Sequence, residues 1–369
     1  MKLELPPPSA PSPLRRYLIW WLLLAYALAA GLPQVGDALR RVSLGQLPFS
    51  GSDVNPTHWL LAWLLFSVGL STRLSETRQL WRHPRLLARG LAGGWLVPLA
   101  CFGLLAVIGR VTLSEQALSA FLAGGLLVVA MPPANSASVW SELSGAEVIR
   151  TVGVIVLGTL LCPFITPLLL SLFAPLVGTT AVGPAAMRSS LETLGLFVVL
   201  PVLGGMVTRA WLQPAGEAAT PGWLRMVHGS SIIALLVLNY SNGAVALPKL
   251  VQNGVSLTAA EVASATCLLC GFVFIGGLYV GRRMRQEPPA EQLSFVYVTS
   301  MKNTGAALVL ASTVVANEPL AALVPVFYTV AQHLAAAVLD RSVIREVEID
   351  PPVESEHSMS FAQATTSSY

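Results

Sequence analysis

Ser300-Met301-Lys302-Asn303-Thr304-Gly305 interrupts an apolar run that extends from about Leu293 to Ala316. The run is long enough to cross a bilayer, which takes ~20 residues. Lys302 is the one Lys or Arg lying deep inside any such run. A charge at the bilayer centre costs at least ~2.5–3.5 kcal/mol on insertion scales, so it normally faces protein or water and serves a purpose. Asn303, Thr304 and Gly305 are poor helix-interior residues: Asn and Thr cap helix N-termini, and Gly tolerates unusual backbone angles. The stretch predicts a helix broken at mid-membrane, with a new half-helix starting near Asn303. A continuous helix with a snorkelling Lys fits less well, because Lys302 sits near the middle of its run.

The composition agrees with a membrane chain. Of 369 residues, 54% are hydrophobic and 11% charged, against about 25% charged in a soluble protein. The expectation is an all-α polytopic membrane protein. No basic, aromatic-interleaved face points to nucleic acid. Cys101, Cys162, Cys267 and Cys270 all lie in apolar runs, with no His beside the Cys267-x-x-Cys270 pair. They read as packing thiols, with no disulfide and no metal implied. No motif calls for a cofactor.

Ten spans are predicted. They are Tyr17–Leu32, His58–Leu70, Leu86–Ile108, a fourth beginning near Ala117 and breaking at Met131–Ser138, Thr151–Phe173, Leu194–Leu212, Trp223–Leu247, Ala260–Val280, the Lys302 span, and Leu320–Leu339. Arg15-Arg16 before the first span mimic a signal peptide, but more membrane follows and cleavage is not expected. The domain reading is a disordered N-terminal tail (1–14), a first five-helix repeat (15–173), a connector (174–190), a second five-helix repeat (191–340) and a disordered C-terminal tail (341–369). Of the 22 Lys and Arg, 16 fall on the side of the N-terminus, five on the opposite side, and Lys302 between them. The positive-inside rule then puts both termini and the loop Thr72–Arg85 in the cytoplasm, across a cell (inner) membrane.

A second break is predicted in the fourth span, at Met131-Pro132-Pro133-Ala134-Asn135-Ser136-Ala137-Ser138. Two prolines remove two backbone donors, and Asn135, Ser136 or Ser138 can cap a restarted half-helix. One break lies fourth among the first five spans, the other fourth among the last five. An odd span count inverts the second repeat, and corresponding broken helices in inverted halves are the best sequence pointer to a transporter's binding site. Two half-helix N-termini facing one cavity, plus Lys302, favour an anion.

These segments resemble the bile acid:sodium symporter family over about Tyr17 to Leu339. The likeness rests on MPPANSAS, on Cys162-Pro163-Phe164-Ile165-Thr166-Pro167 in the fifth span, and on Val298-Thr299-Ser300-Met301-Lys302-Asn303-Thr304-Gly305 against the family's Glu-Val-Gly-Met-Gln-Asn-Ser-Gly. The resemblance implies a core of spans three to five and eight to ten, and a panel of spans one, two, six and seven. It implies substrate contacts at Asn135, Ser136, Asn303, Thr304, Gln332 and His333. His333 could equally be a packing residue. Asn239, Tyr240, Ser241 and Asn242 in the seventh span either line the panel side or bond between helices, the latter being favoured.

The departures concern the ion sites. Equivalents of the family's ion-site positions are Ser138, Thr151, Val298, Thr299 and Lys302. The usual Glu is Val298, the usual Gln beside the second ion is Lys302, a third-span Gln is Gly93, and a fifth-span Thr is Ile155. Two unit positive charges 4 Å apart repel by ~4 kcal/mol at an effective dielectric of 20, so Lys302 stands in for a missing cation. The expected function is a secondary transporter of a small organic anion with sodium coupling lost. The alternatives are proton-coupled or uncoupled transport on the same fold, since a buried ammonium gives up its proton readily. More remote is a hydrolase with Ser136 or Ser138 and Lys302 as a dyad. Broken-helix symmetry is superfluous for a hydrolase, so the chain is not expected to be an enzyme.

Overall fold

The computed structural model describes residues 17–72, 84–173, 175, 184–212, 222–252, 256–315 and 320–349. The predicted N-terminal tail (1–14), residues 350–369 of the predicted C-terminal tail (341–369), and most of the loop Thr72–Arg85 lie outside them, while residues 341–349 of that tail are helical. The elements in chain order are α1 (Leu18–Gly31), α2 (Pro33–Arg41), a two-stranded hairpin of β1 (Gly45–Gln46) and β2 (Asp53–Val54), α3 (Pro56–Ser71), α4 (Pro84–Thr112), α5 (Glu115–Ala130), α6 (Ser136–Leu143) and α7 (Val148–Phe173). Then follow α8 (Pro184–Leu194), a π-turn (Gly195–Val199) running into α9 (Leu200–Leu212), α10 (Gly222–Gln252), α11 (Leu257–Arg283), α12 (Pro289–Ser300), α13 (Thr304–Val314) and α14 (Leu323–Ile349).

Among the described residues, six helices are long and apolar enough to cross a membrane, and α5 is a shorter apolar one. α1 and α2 meet at a bend of 86° and count as a seventh span if taken together. The bend falls at Leu32-Pro33, where the proline cannot continue the preceding hydrogen-bond ladder. Among the described residues, each of the ten predicted apolar segments contains helix, two of them in halves.

The helices sort into two packed groups. α3 lies along α9, and α10 lies along α1, α2 and α3. In the other group α11 packs on α4, α5, α12 and α14, while α7 packs on α4, α6 and α12. Glycine sets the closest approach: a Cβ on Gly205 would sit 2.2 Å from the Phe66 carbonyl oxygen, and one on Gly69 2.1 Å from that of Val202. Without a hydrophobic drive between helices in lipid, such small residues let backbones touch. Outside the bundle, the hairpin loop is tied to α8, where the Glu192 carboxylate accepts from the backbone N–H groups of Phe49 (2.8 Å) and Ser50 (2.9 Å).

Both predicted breaks are present. α5 stops at Ala130 and α6 starts at Ser136; α12 stops at Ser300 and α13 starts at Thr304. A tight turn at Gly145, with φ of 70°, then leads from α6 towards α7; that left-handed angle suits glycine.

Candidate functional site

The two unwound segments run antiparallel against each other, with Pro133 paired to Lys302. Ala134 N–H donates to the Met301 carbonyl at 2.8 Å, and Asn303 N–H to the Pro132 carbonyl at 3.0 Å. Irregular backbone at membrane depth is tolerated only where protein or water satisfies it, and here each break satisfies the other. Side chains complete the helix ends left open by the breaks. The Ala130 carbonyl accepts from Trp95 Nε1 (3.1 Å) and Thr166 Oγ1 (2.8 Å), and the Ser300 carbonyl accepts from the Tyr328 hydroxyl (3.0 Å).

Lys302 lies in this crossing, fully buried. Its Nζ donates to the Gly94 carbonyl at 2.6 Å and stands 5.9 Å from the centroid of a Trp95 ring. The partner has a local cause. Pro98 lies inside α4, four residues on, and has no N–H for the Gly94 carbonyl, which is the helical bond a proline removes. The ammonium takes the acceptor that Pro98 frees. Among the described residues no carboxylate forms an ion pair with Lys302. Its backbone is held by Gln332, whose Oε1 accepts from Lys302 N–H (2.8 Å) and whose Nε2 donates to the Lys302 carbonyl (3.3 Å).

A cavity of about 160 Å3 lies between the two helix groups at the crossing. All six predicted substrate residues, Asn135, Ser136, Asn303, Thr304, Gln332 and His333, line it, as do Ser138 and Lys302. Ser136 and Thr304 are the first residues of the two restarting half-helices. Asn303 caps α13 as expected, its Oδ1 accepting from Ala306 N–H at 3.1 Å. Its Nδ2 is buried with no partner, and so is Asn135 Oδ1. Thr304 and Thr329 hydroxyls meet at 2.6 Å. His333 Nδ1 accepts from Trp140 Nε1 at 3.0 Å, which leaves the proton of the neutral ring to Nε2.

Two sequence expectations are revised here, and Gln332 gains a second role. Neither Asn135 nor another side chain caps α6; Asn135 is already in a helical conformation, and Ser138 Oγ donates back to its carbonyl at 2.8 Å. Gln332 lines the cavity and also bonds the Lys302 backbone through both ends of its amide. Cys267, read as a packing thiol, is exposed on the outside of α11, whereas Cys162 and Cys270 are buried.

The remaining ion-site equivalents sit elsewhere. Thr151 and Val298 border a separate gap of about 10 Å3, and Thr299 is fully buried with its hydroxyl unpartnered. The seventh-span polar cluster bonds between helices: Tyr26 donates to Asn239 Oδ1 (2.7 Å), and Arg40 to Asn242 Oδ1 (2.6 Å). Asn239 also faces the cavity from that side, with Ser67 and Ser71 of α3. Sequence reading missed these serines, and it missed Gly94, Trp95 and Thr329. Only Gly94 carried a signal, its spacing of four from Pro98.

Broken helices crossing over a small cavity lined by both apolar and polar side chains, inside a polytopic helical membrane protein, fit the class of membrane transporters. The model of the Sodium Bile acid symporter family matches residues 58–253, just over half of the chain, and the chain belongs to that family. It is similar to an uncharacterized sodium-dependent transporter, YocS, of Bacillus subtilis (strain 168), with 25% identity over 277 residues, covering 75% of this chain and 79% of the relative. It is also similar to the uncharacterized protein YbaS of the same organism, with 24% identity over 297 residues, 80% and 90% of the two chains. The protein is thus a multi-pass membrane transporter of the lipid bilayer.

Proposed function

We propose that this protein carries small organic anions by alternating access, as ten spans in two inverted repeats, with the group of α4–α7 and α11–α14 rocking against the group of α1–α3, α9 and α10. Membership of a symporter family supports transport, and the cavity between the two helix groups supports the motion. The anion preference follows from the start of two half-helices at the cavity, each with about half a positive charge, and from the donors of Asn303 Nδ2 and Lys302.

The coupling differs from what the relatives' names suggest. One observation carries this reading: the Lys302 ammonium is buried at the crossing and donates to a main-chain carbonyl. The packing around the family's ion positions supports it. A side chain on Gly93 would meet the Phe295 ring at 2.6 Å. Val298 is buried in an apolar cluster with Leu87 and Val154, and Ile155 in the main core. The Thr151 hydroxyl is already bonded to Ser141 Oγ at 2.9 Å and to the Glu147 carbonyl at 3.1 Å. Sodium needs several free oxygens, and these positions offer few. Lys302 replaces the ion, and the carrier works without sodium.

Proton coupling is the second reading, favoured by the absence of a carboxylate partner for Lys302 among the described residues. Against a Ser138–Lys302 dyad stand the bonds of Lys302 Nζ to the Gly94 carbonyl and of Ser138 Oγ to the Asn135 carbonyl. The test is a panel of organic anions in a thermal-shift assay on the detergent-purified protein, with and without sodium. We expect stabilisation by some anions, equal in sodium and in choline. Stabilisation that requires sodium would overturn the coupling, and none with any anion would overturn the substrate class. The charge tally puts both termini in the cytoplasm, across an inner membrane.

A further inference from the structure

A second positive feature lies outside the crossing, at the end of α11. Arg282 and Arg283 close that helix, and Arg285 follows it. All three are exposed, as is Arg89 on the facing α4. A cleft of about 570 Å3 opens between α4 and α11, lined by Arg89, Arg283 and Arg285 above Leu96, Val97 and Val280. A neighbouring cleft of about 340 Å3 along α11 shares Arg283 and Arg285 and adds Arg282, Ile275 and Leu278.

Both clefts have the same two-tier chemistry. Their apolar tier belongs to the outer surface of the bundle, where Leu96 and Ile275 are each 64% exposed. Their upper tier is cationic. Arg283 lies 4.9 Å from the Tyr279 ring centroid and donates to its hydroxyl at 2.8 Å, which fixes the guanidinium at the rim. Arg89 pairs with Glu287 at 3.3 Å. Glu287 is the one carboxylate lining either cleft among the described residues, so the arginines are in excess.

We propose that this end of α11 binds an anionic phospholipid, with the phosphate among Arg283, Arg285 and Arg282 and an acyl chain along the apolar tier between α4 and α11. Basic pockets between membrane helices recognise anionic headgroups through the charge of the phosphate, and arginine suits it because its planar fork binds two oxygens at once. The apolar tier selects a lipid over a free phosphate, which has no use for it. The cleft also reaches Gly93 and Phe295, next to the crossing, so an occupant would brace α4 against α12.

The experiment uses the full chain in detergent micelles doped with phosphatidylglycerol or phosphatidylcholine, read by native mass spectrometry and by thermal unfolding. Retained phosphatidylglycerol and a higher unfolding temperature with it than with phosphatidylcholine are expected. The variant R283Q/R285Q should bind it roughly tenfold or more weakly, since each arginine near an anionic headgroup contributes. R285Q alone should fall between, and R188Q, a surface change on α8, should behave as wild type. Equal retention of both lipids, or retention unchanged in R283Q/R285Q, would overturn the proposal. So would an equal effect of inorganic phosphate, which would assign the arginines to a soluble anion.

Discussion

Lys302 was visible in the sequence as a charge without a partner, and its partner was not. The Gly94 carbonyl is an acceptor only because Pro98 removes its helical donor, a link that crosses two helices and shows once they are packed. Replacing Lys302 by Met removes the cavity's cation and leaves that carbonyl unbonded. We expect anion binding to be abolished or strongly reduced, measured by isothermal titration on protein that still purifies as a monodisperse species. Wild-type affinity in that variant would detach the ammonium from the site. Lys302→Gln should not restore sodium dependence, because Val298 supplies no ligand beside it. At Asn135 and Asn303 each side chain keeps one buried polar atom without a partner. Alanine at either should weaken binding by ~1–3 kcal/mol, the usual range for a buried polar group left unpaired, with no loss of fold. Unchanged affinity in both variants would remove the crossing from the substrate path. The cap role of Asn303 was legible because Asn-Thr-Gly has few other uses inside an apolar run. The cap expected from Asn135, Ser136 or Ser138 was misread, because three candidates lie within four residues and the backbone used none.

The broken helices were the legible elements, since prolines in one and a polar cluster in the other stop a helix wherever it is packed. How the breaks satisfy each other was not legible, because the antiparallel pairing of Pro133 with Lys302 joins residues far apart in the chain. Nor were Trp95, Thr166 and Tyr328, whose donors close the helix ends and which read as ordinary membrane residues. Packing at glycine gives a prediction at this scale. Gly205→Leu drives a side chain into the backbone of α3, at Phe66 and Leu70, where nothing flexible can yield. It should destabilise the protein by ~1–3 kcal/mol or more, the range for overpacking, seen as earlier thermal unfolding in detergent. Gly271→Ala has open space around its Cβ position and should leave unfolding within about 0.5 kcal/mol of wild type. Equal behaviour of the two variants would mean that α3 and α9 do not depend on this contact.

For the molecule as a whole, the charge asymmetry of the loops predicts that a single cysteine at Ser52, in the hairpin loop, is labelled from outside intact cells. One at Thr77, outside the described residues, should not be. Labelling of Thr77 from outside would invert the orientation. Membership of the family and the crossing were both legible in the sequence, while the state of the ion positions needed the packing of Phe295 against Gly93 and of Val298 against Leu87. The central claim is that the ammonium of Lys302 has taken the place of a coupling ion. The most direct test is uptake into proteoliposomes of an anion identified by thermal shift, with external sodium replaced by potassium or choline at constant pH. We predict uptake that changes little between the three cations. Uptake that proceeds only down an inward sodium gradient would contradict the account.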